Sequence, residues 1–229
     1  MNNAAARYFS VLTGTPSAMI QAIETKRTQS ASVRSLYTLI LPADGAVGVP
    51  SFLLFHDGSF RVPDGLTARA AERMLLEKAM TYAEDVTVKR TLVFLPDGTD
   101  VPSSDCVCLT AESPYENRCS VALPPSPDTP AYGIVRDGAI VSAAVTNTPV
   151  LHDELREIGV YTAPDFRRRG YAASCVRTLA AAWQKRGSLP LYRTSPDNLP
   201  SVKTARSAGF LHAATRISVL IRTEKTEKE

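Results

Sequence analysis

The feature that most limits how this chain can fold lies between residues 154 and 194. A strand-like stretch, Glu154–Thr162, is stopped by Pro164, which has no N–H to extend a ladder. A basic loop, Arg167-Arg168-Arg169, follows, and a helix opens at Gly170 and runs to Arg186. Within it Ala172, Cys175, Val176, Leu179 and Trp183 recur at helical spacing and give one apolar stripe. Gly187 offers the left-handed stop, and Leu189–Thr194 reads as a second strand. A helix with one apolar stripe set between two strands has to bury that stripe on a sheet.

The surrounding pattern supplies the sheet. Ala131–Val135 and Ala139–Val145 form a hairpin about Asp137-Gly138. Asn198 or Asp197 caps a short helix that has Pro200 in its first turn and ends at Gly209. Thr215–Arg222 is a last strand, followed by a charged tail, Thr223–Glu229. Upstream, the first 30 residues read as loop with one helix, Ser17–Lys26. Leu36–Leu41 and Ser51–Phe55 are strands, with a turn at Asp57-Gly58 and a short strand through Val62. Thr67 caps a helix reaching about Glu84, and Arg90–Leu95 is a strand ending at Pro96-Asp97-Gly98. Residues 96–130 read mostly as loop with short strands, and Pro124, Pro125, Pro127 and Pro130 mark a linker. The order of elements predicts a mixed sheet with helices packed on it.

Composition narrows the class. The chain has 229 residues, 44% of them hydrophobic and 21% charged, which excludes a disordered chain, a collagen and a coiled-coil rod. No apolar run approaches the roughly 18 residues of a membrane-spanning helix. The four cysteines, Cys106, Cys108, Cys119 and Cys175, form no CxxC pair, and His56, His152 and His212 are far apart. Reduced thiols in a cytoplasmic protein account for them better than a zinc site, so no metal is expected. The amino terminus lacks a secretory pattern, although its freedom from acidic residues up to Glu24 is shared with transit peptides.

The net charge of +3 argues against nucleic acid as partner. Its distribution is uneven, with 11 basic and 14 acidic residues over 1–130 but 15 basic and 9 acidic over 131–229. Either a solvated basic face or an anionic ligand in the second half fits that asymmetry. The loop at Arg167–Gly170 favours the anion. The first N–H groups of a helix have no internal acceptor, and the helix dipole adds positive potential there. Gly170 permits close approach, small Ala172 keeps the surface open, and the arginines add counter-charge, which together suit a pyrophosphate.

Arg167-Arg168-Arg169-Gly170-Tyr171-Ala172 resembles the R/Q-x-x-G-x-G/A loop of the GNAT superfamily of N-acetyltransferases. Glu157-Ile158-Gly159-Val160-Tyr161-Thr162 upstream, and Asn198-Leu199-Pro200-Ser201 followed by Gly209-Phe210, resemble that family's flanking signatures in the same order. The close match covers residues 154–212. The resemblance implies an α/β (α+β) fold with a mixed, mostly antiparallel sheet, splayed central strands and helices on both faces. It implies an acyl-CoA-binding core over 131–222, leaving 1–130 as an N-terminal region that combines an added α+β lobe with the first elements of the fold. A homodimer is left open, and neither nucleic acid nor membrane is expected as a partner.

The same resemblance implies roles. Arg167, Arg168, Arg169, Gly170, Tyr171 and Ala172 would hold the acetyl-CoA pyrophosphate, and the strand Ile158, Gly159, Val160 would pair with the pantetheine arm. The N–H near Val160 would polarise the thioester carbonyl. Asn198 and Ser201 would contact the cofactor, though Asn198 also reads as a plain helix cap. Glu157 stands near where some members carry a strand glutamate base. A solvent-facing strand residue is the other reading, with Glu154, Asp153 and His152 as further candidates. Many members carry a tyrosine acid four residues before the Gly-Phe pair, whereas this chain has Ala205. Tyr192 or Tyr161 could serve instead or be structural, and without a positioned acid the thiolate could leave through water or a backbone donor. The leading expectation is transfer of acetyl from acetyl-CoA to a small-molecule or peptide amine by direct attack in a ternary complex. A non-catalytic acyl-CoA-binding regulatory module is the alternative, kept open by Ala205.

Overall fold

A computed structural model describes residues 3–14, 33–44, 50, 52–56, 67–81, 86–98, 102–124, 128–147 and 152–222. The expected helix at Ser17–Lys26, the turn at Asp57-Gly58 and the short strand through Val62 lie outside these residues. The elements are α1 (Asn3–Thr13), β1 (Val33–Pro42), β2 (Leu53–His56), α2 (Ala68–Met80), β3 (Val86–Pro96), β4 (Val107–Cys108), β5 (Glu116–Asn117), β6 (Tyr132–Arg136), β7 (Ala139–Thr146), β8 (Leu155–Thr162), α3 (Tyr171–Lys185), β9 (Leu189–Thr194), α4 (Leu199–Ser207) and β10 (Phe210–Arg222). The result is a mixed α+β fold whose strand pairings are mostly antiparallel. Two compact units divide the chain, residues 1–8 with 93–212 and residues 9–92 with 213–229.

In the second of these units β1 pairs antiparallel with β2 and with β10. Alternation sends Tyr37 and Leu39 to one face, where they meet Leu75 and Ala79 of α2 and Ile217, Val219 and Ile221 of β10. The helix starts where Thr67 accepts a bond from the Ala70 N–H, the cap expected from the sequence. On the opposite face Thr38 and Ser218 bring their hydroxyls within 3.4 Å.

In the first unit the β6–β7 hairpin turns through Asp137 and Gly138, both at positive φ, as a two-residue turn that matches strand twist requires. β7 runs antiparallel to β8, with Ser142–Thr146 opposite Thr162–Ile158. α3 then carries the chain over to β9, which lies parallel to β8. The stripe that α3 buries is Ala173, Cys175, Val176, Leu179, Ala180 and Trp183, so Ala173 takes the place expected for Ala172. Trp183 satisfies its indole N–H on Thr146 Oγ1 at 2.9 Å. Leu109, Val121, Ala131, Ile140, Ala143 and Val145 form a separate apolar cluster, which residues of the proline-rich segment help to close. Gly187 and Gly209 end their helices at φ 78° and 86°. The structure adds two features to the expected set: α1, and a β10 that begins at Phe210 instead of Thr215.

Candidate active site

The site is built on β8. Hydrogen bonds from Asn147 N to Glu157 O at 2.7 Å and from Ala163 N to Val141 O at 2.9 Å fix the phase of the β7–β8 ladder. Antiparallel alternation then turns the backbone groups of Glu157, Gly159 and Tyr161 toward β7, and those of Ile158, Val160 and Thr162 away from it. The Thr162 carbonyl, which accepts from Arg167 Nε at 3.1 Å, agrees with this.

On its other edge β8 pairs with β9 through Leu155–Leu189, Arg156–Pro190 and Glu157–Leu191. The register stops there, although β8 continues to Thr162 and β9 to Thr194. Val160 therefore presents its N–H to the edge along which the two strands have parted.

Beyond Thr162, a short 3-10 turn at Pro164–Phe166 leads into the basic loop. Arg168 and Gly170 both take positive φ, at 61° and 81°. Gly170 occupies the N-cap position of α3 without a side chain to cap it. The first helical bond runs from Ser174 N to Gly170 O, which leaves the preceding N–H groups to an external acceptor. A Cβ placed on Gly170 would meet nothing within 4 Å. Arg167 is tied to Thr162 O, while Arg169 donates to Asp165 O at 3.0 Å and lies over the Phe166 ring. All four residues from Arg167 to Gly170 are exposed. Tyr171 and Ala172 open the helix, and Arg136 stacks over the Tyr171 ring at 5.3 Å.

Two acid–base candidates, Glu157 of β8 and Tyr192 of β9, stand on opposite faces of the sheet. Leu191 shares a face with Glu157 through their pairing, so Arg193 lies on that face and Tyr192 on the other. Glu157 accepts from Arg193 Nη2 at 2.6 Å and Nε at 2.8 Å, both on Oε2, and from Asn147 Nδ2 at 3.2 Å on Oε1. The Glu157 side chain is 15% exposed, so it is not the solvent-facing strand residue of the plainer reading. Tyr192 is buried and bonds Ser201 Oγ of α4 at 2.7 Å, with the Phe210 ring edge-on to it. Burial pushes the Tyr192 phenol up, against a smaller lowering by Ser201, which keeps it protonated. Ala205, one turn beyond Ser201, is fully buried.

The other candidates are placed as follows. Asn198 caps α4 by accepting from Ser201 N at 3.2 Å. Glu154 pairs with Arg7 at 3.1 Å, His152 makes a bridge with Leu155, and Tyr161 is 47% exposed. Cys175 is a core residue whose thiol is held protonated by its contact with Cys106 and by burial. The structure thus brings Tyr192 to Ser201 but does not bring Glu157 to Tyr192. It also places two residues at the site that sequence reasoning passed over, Asn147 and Arg193. Strand alternation between Leu191 and Arg193 is the one signal that could have found the second. Among the described residues no group of three or more His, Cys, Asp or Glu is arranged to hold a metal. No helix among them is long and apolar enough to cross a membrane.

Comparison with known proteins bears on this arrangement. Residues 130–215 match the family model described as GNAT acetyltransferase. No curated protein matches the sequence. Similar solved structures include an acetyltransferase from the GNAT family of Colwellia psychrerythraea, at 14% identity, 65% of this chain, 62% of that one and TM-score 0.47. A GCN5-related N-acetyltransferase-like protein from Streptococcus suis is similar at 18% identity, 96% of this chain, 98% of that one and TM-score 0.46. A GCN5-related N-acetyltransferase from Kribbella flavida is similar at 22% identity, 65% of this chain, 62% of that one and TM-score 0.42. The chain thus spans under two thirds of the first and third of these proteins. Likeness at this level identifies neither acceptor nor mechanism. The family match falls on the segment that carries the parted strands and the glycine-opened helix, and it is over residues 130–215 that this chain is similar to GNAT acetyltransferases.

Proposed function

We propose that the protein transfers an acetyl group from acetyl-CoA to an amine, of a small molecule or a peptide, by direct attack in a ternary complex. The observation that carries this reading is the parting of β8 from β9 after Glu157 and Leu191, with the Val160 N–H on the opened edge and the bare N-terminus of α3 beyond it. The acyl-CoA-binding core is residues 131–222.

The residues present suit acetyl-CoA. Exposed amides at the start of α3, flanked by Arg167, Arg168 and Arg169 and opened by Gly170, suit a pyrophosphate. Tyr171 and Ala172 supply further N–H groups in the first turn. The open edge of β8, at Ile158 and Val160, offers backbone groups to the amide-bearing pantetheine arm. Ser201 and Asn198 flank it from α4. Acetyl-CoA supplies an activated thioester at this position.

Val160 donates its N–H to the carbonyl oxygen as charge develops there. Glu157 takes a proton from the attacking amine, and Tyr192 gives one to the departing sulfur from the opposite face of the sheet. The C–N bond forms, the C–S bond breaks, and both residues are reset by exchange with water. A cytoplasmic location belongs to the same reading, in line with the four free thiols.

The test is acetyl-CoA consumption against a panel of small and peptidic amines, read as CoA thiol release. Amine-dependent turnover is expected. Tight acetyl-CoA binding without turnover on any amine would contradict the proposal.

A further inference from the structure

Glu157 is held by both strands that flank its own. Arg193 reaches it from β9 with two bonds to Oε2, and Asn147, the residue just past the end of β7, reaches it with one bond to Oε1. Arg193 lies two residues past Leu191, the last β9 residue in register with β8. Its side chain therefore spans the two strands after their backbones have separated. Asn147 reaches Glu157 by lying across Gly159, where a Cβ would collide with Asn147 Oδ1. Gly159 turns its backbone to β7, so a steric need for glycine arises from Asn147 on the Glu157 face.

The arrangement is expensive for a purely structural contact. Arg193 and Glu157 are 7% and 15% exposed, and desolvating two such charges offsets most of their attraction. Well-packed apolar residues at both positions would do as well for stability. What the three-strand clamp does supply is one fixed position for a carboxylate at the point where the strands part.

We infer that Asn147 and Arg193 are positioning residues for acyl transfer, holding the Glu157 carboxylate at the fork between β8 and β9, with Gly159 providing the room Asn147 needs. This rests on the reading of Glu157 as the proton acceptor. Proton transfer demands placement within hydrogen-bond reach, so a carboxylate released to other rotamers loses rate without losing cofactor.

The experiment is a double-mutant cycle on kcat, with acetyl-CoA affinity measured by calorimetry and folding checked by circular dichroism. Asn147→Ala is expected to lower kcat about tenfold with acetyl-CoA affinity within twofold of wild type, and Gly159→Ala to lower kcat similarly. In a Glu157→Gln background Asn147→Ala is expected to cost less than twofold more. Arg193→Met is expected to lower kcat by more than Arg193→Lys, which keeps the charge and one donor nitrogen. If Glu157→Gln lowers turnover while Asn147→Ala stays within twofold of wild type, the positioning role is wrong and the base assignment stands. A full tenfold loss from Asn147→Ala in the Glu157→Gln background also overturns it, since Asn147 would then act elsewhere. Should Glu157→Gln itself leave turnover intact, the base reading falls and the positioning role falls with it.

Discussion

Along its edge with β7, strand β8 holds register over Ile158–Thr162 and is bonded on beyond both ends; along its edge with β9 it holds register over Leu155–Glu157. The strand is the same, so the difference comes from what stands opposite. β7 joins β8 as an antiparallel neighbour that stays alongside. β9 returns from α3 as a parallel neighbour and departs midway. A strand closed on one edge and open on the other offers backbone donors at fixed positions without losing its place in the sheet. Each unmade ladder bond costs about 1 kcal/mol or more unless water or a ligand replaces it. An opened edge of this kind is worth keeping where a ligand completes it.

The largest effect should come from blocking the far end of the open edge. Gly170→Val puts a branched side chain where an added Cβ meets nothing within 4 Å, so the neighbouring packing has room for it. Its φ of 81° adds strain of about 1–2 kcal/mol, small against the stability of a domain. Acetyl-CoA affinity should drop at least about 100-fold, some 2.7 kcal/mol, while the protein still melts cooperatively. Unchanged affinity in a folded Gly170→Val protein would remove the loop from the cofactor site.

The geometry of that loop was the legible part of the candidate site. Its chemistry is backbone chemistry, and a glycine after three arginines announces it in consecutive residues. The hairpin at Asp137-Gly138, the extent of β9 and the caps Thr67 and Asn198 were legible for the same reason, each being set by local turn or capping chemistry. The clamp on Glu157 was not. Its members are 10 and 36 residues apart in sequence, and strand register is what brings them together. α1 was missed because its apolar set, Tyr8, Phe9, Val11 and Leu12, is compressed into little more than one turn after an alanine run. β10 was cut short because Leu211-His212-Ala213-Ala214 carries little β propensity, so neighbouring strands hold it extended.

A smaller effect sharpens the contrast between the two faces at the fork. Tyr192→Phe removes one hydroxyl on the face opposite Glu157. Maximal rate should fall about tenfold or more, and the basic limb of the pH–rate profile should disappear, with the amine KM little changed. An unaltered profile would assign protonation of the sulfur to water.

The smallest effect is on stability. Burial raises the Tyr192 phenol above its ordinary value of about 10, so the folded state holds that proton more tightly than the unfolded chain. The resulting stability is fully present below pH ~10 and is lost as pH rises toward the folded value. Denaturant titrations of Tyr192→Phe should accordingly show a shallower alkaline decline than wild type. An identical decline would mean the phenol titrates alike in both states.

Amide hydrogen exchange along β8 tests the central claim most directly. Gly159 and Tyr161, which face β7, should be protected in the protein alone and remain so with acetyl-CoA. Val160, which faces the opened edge, should exchange faster than both in the protein alone and become protected when acetyl-CoA is added. A Val160 amide already as protected as its neighbours, or one that acetyl-CoA leaves unchanged, would contradict the account.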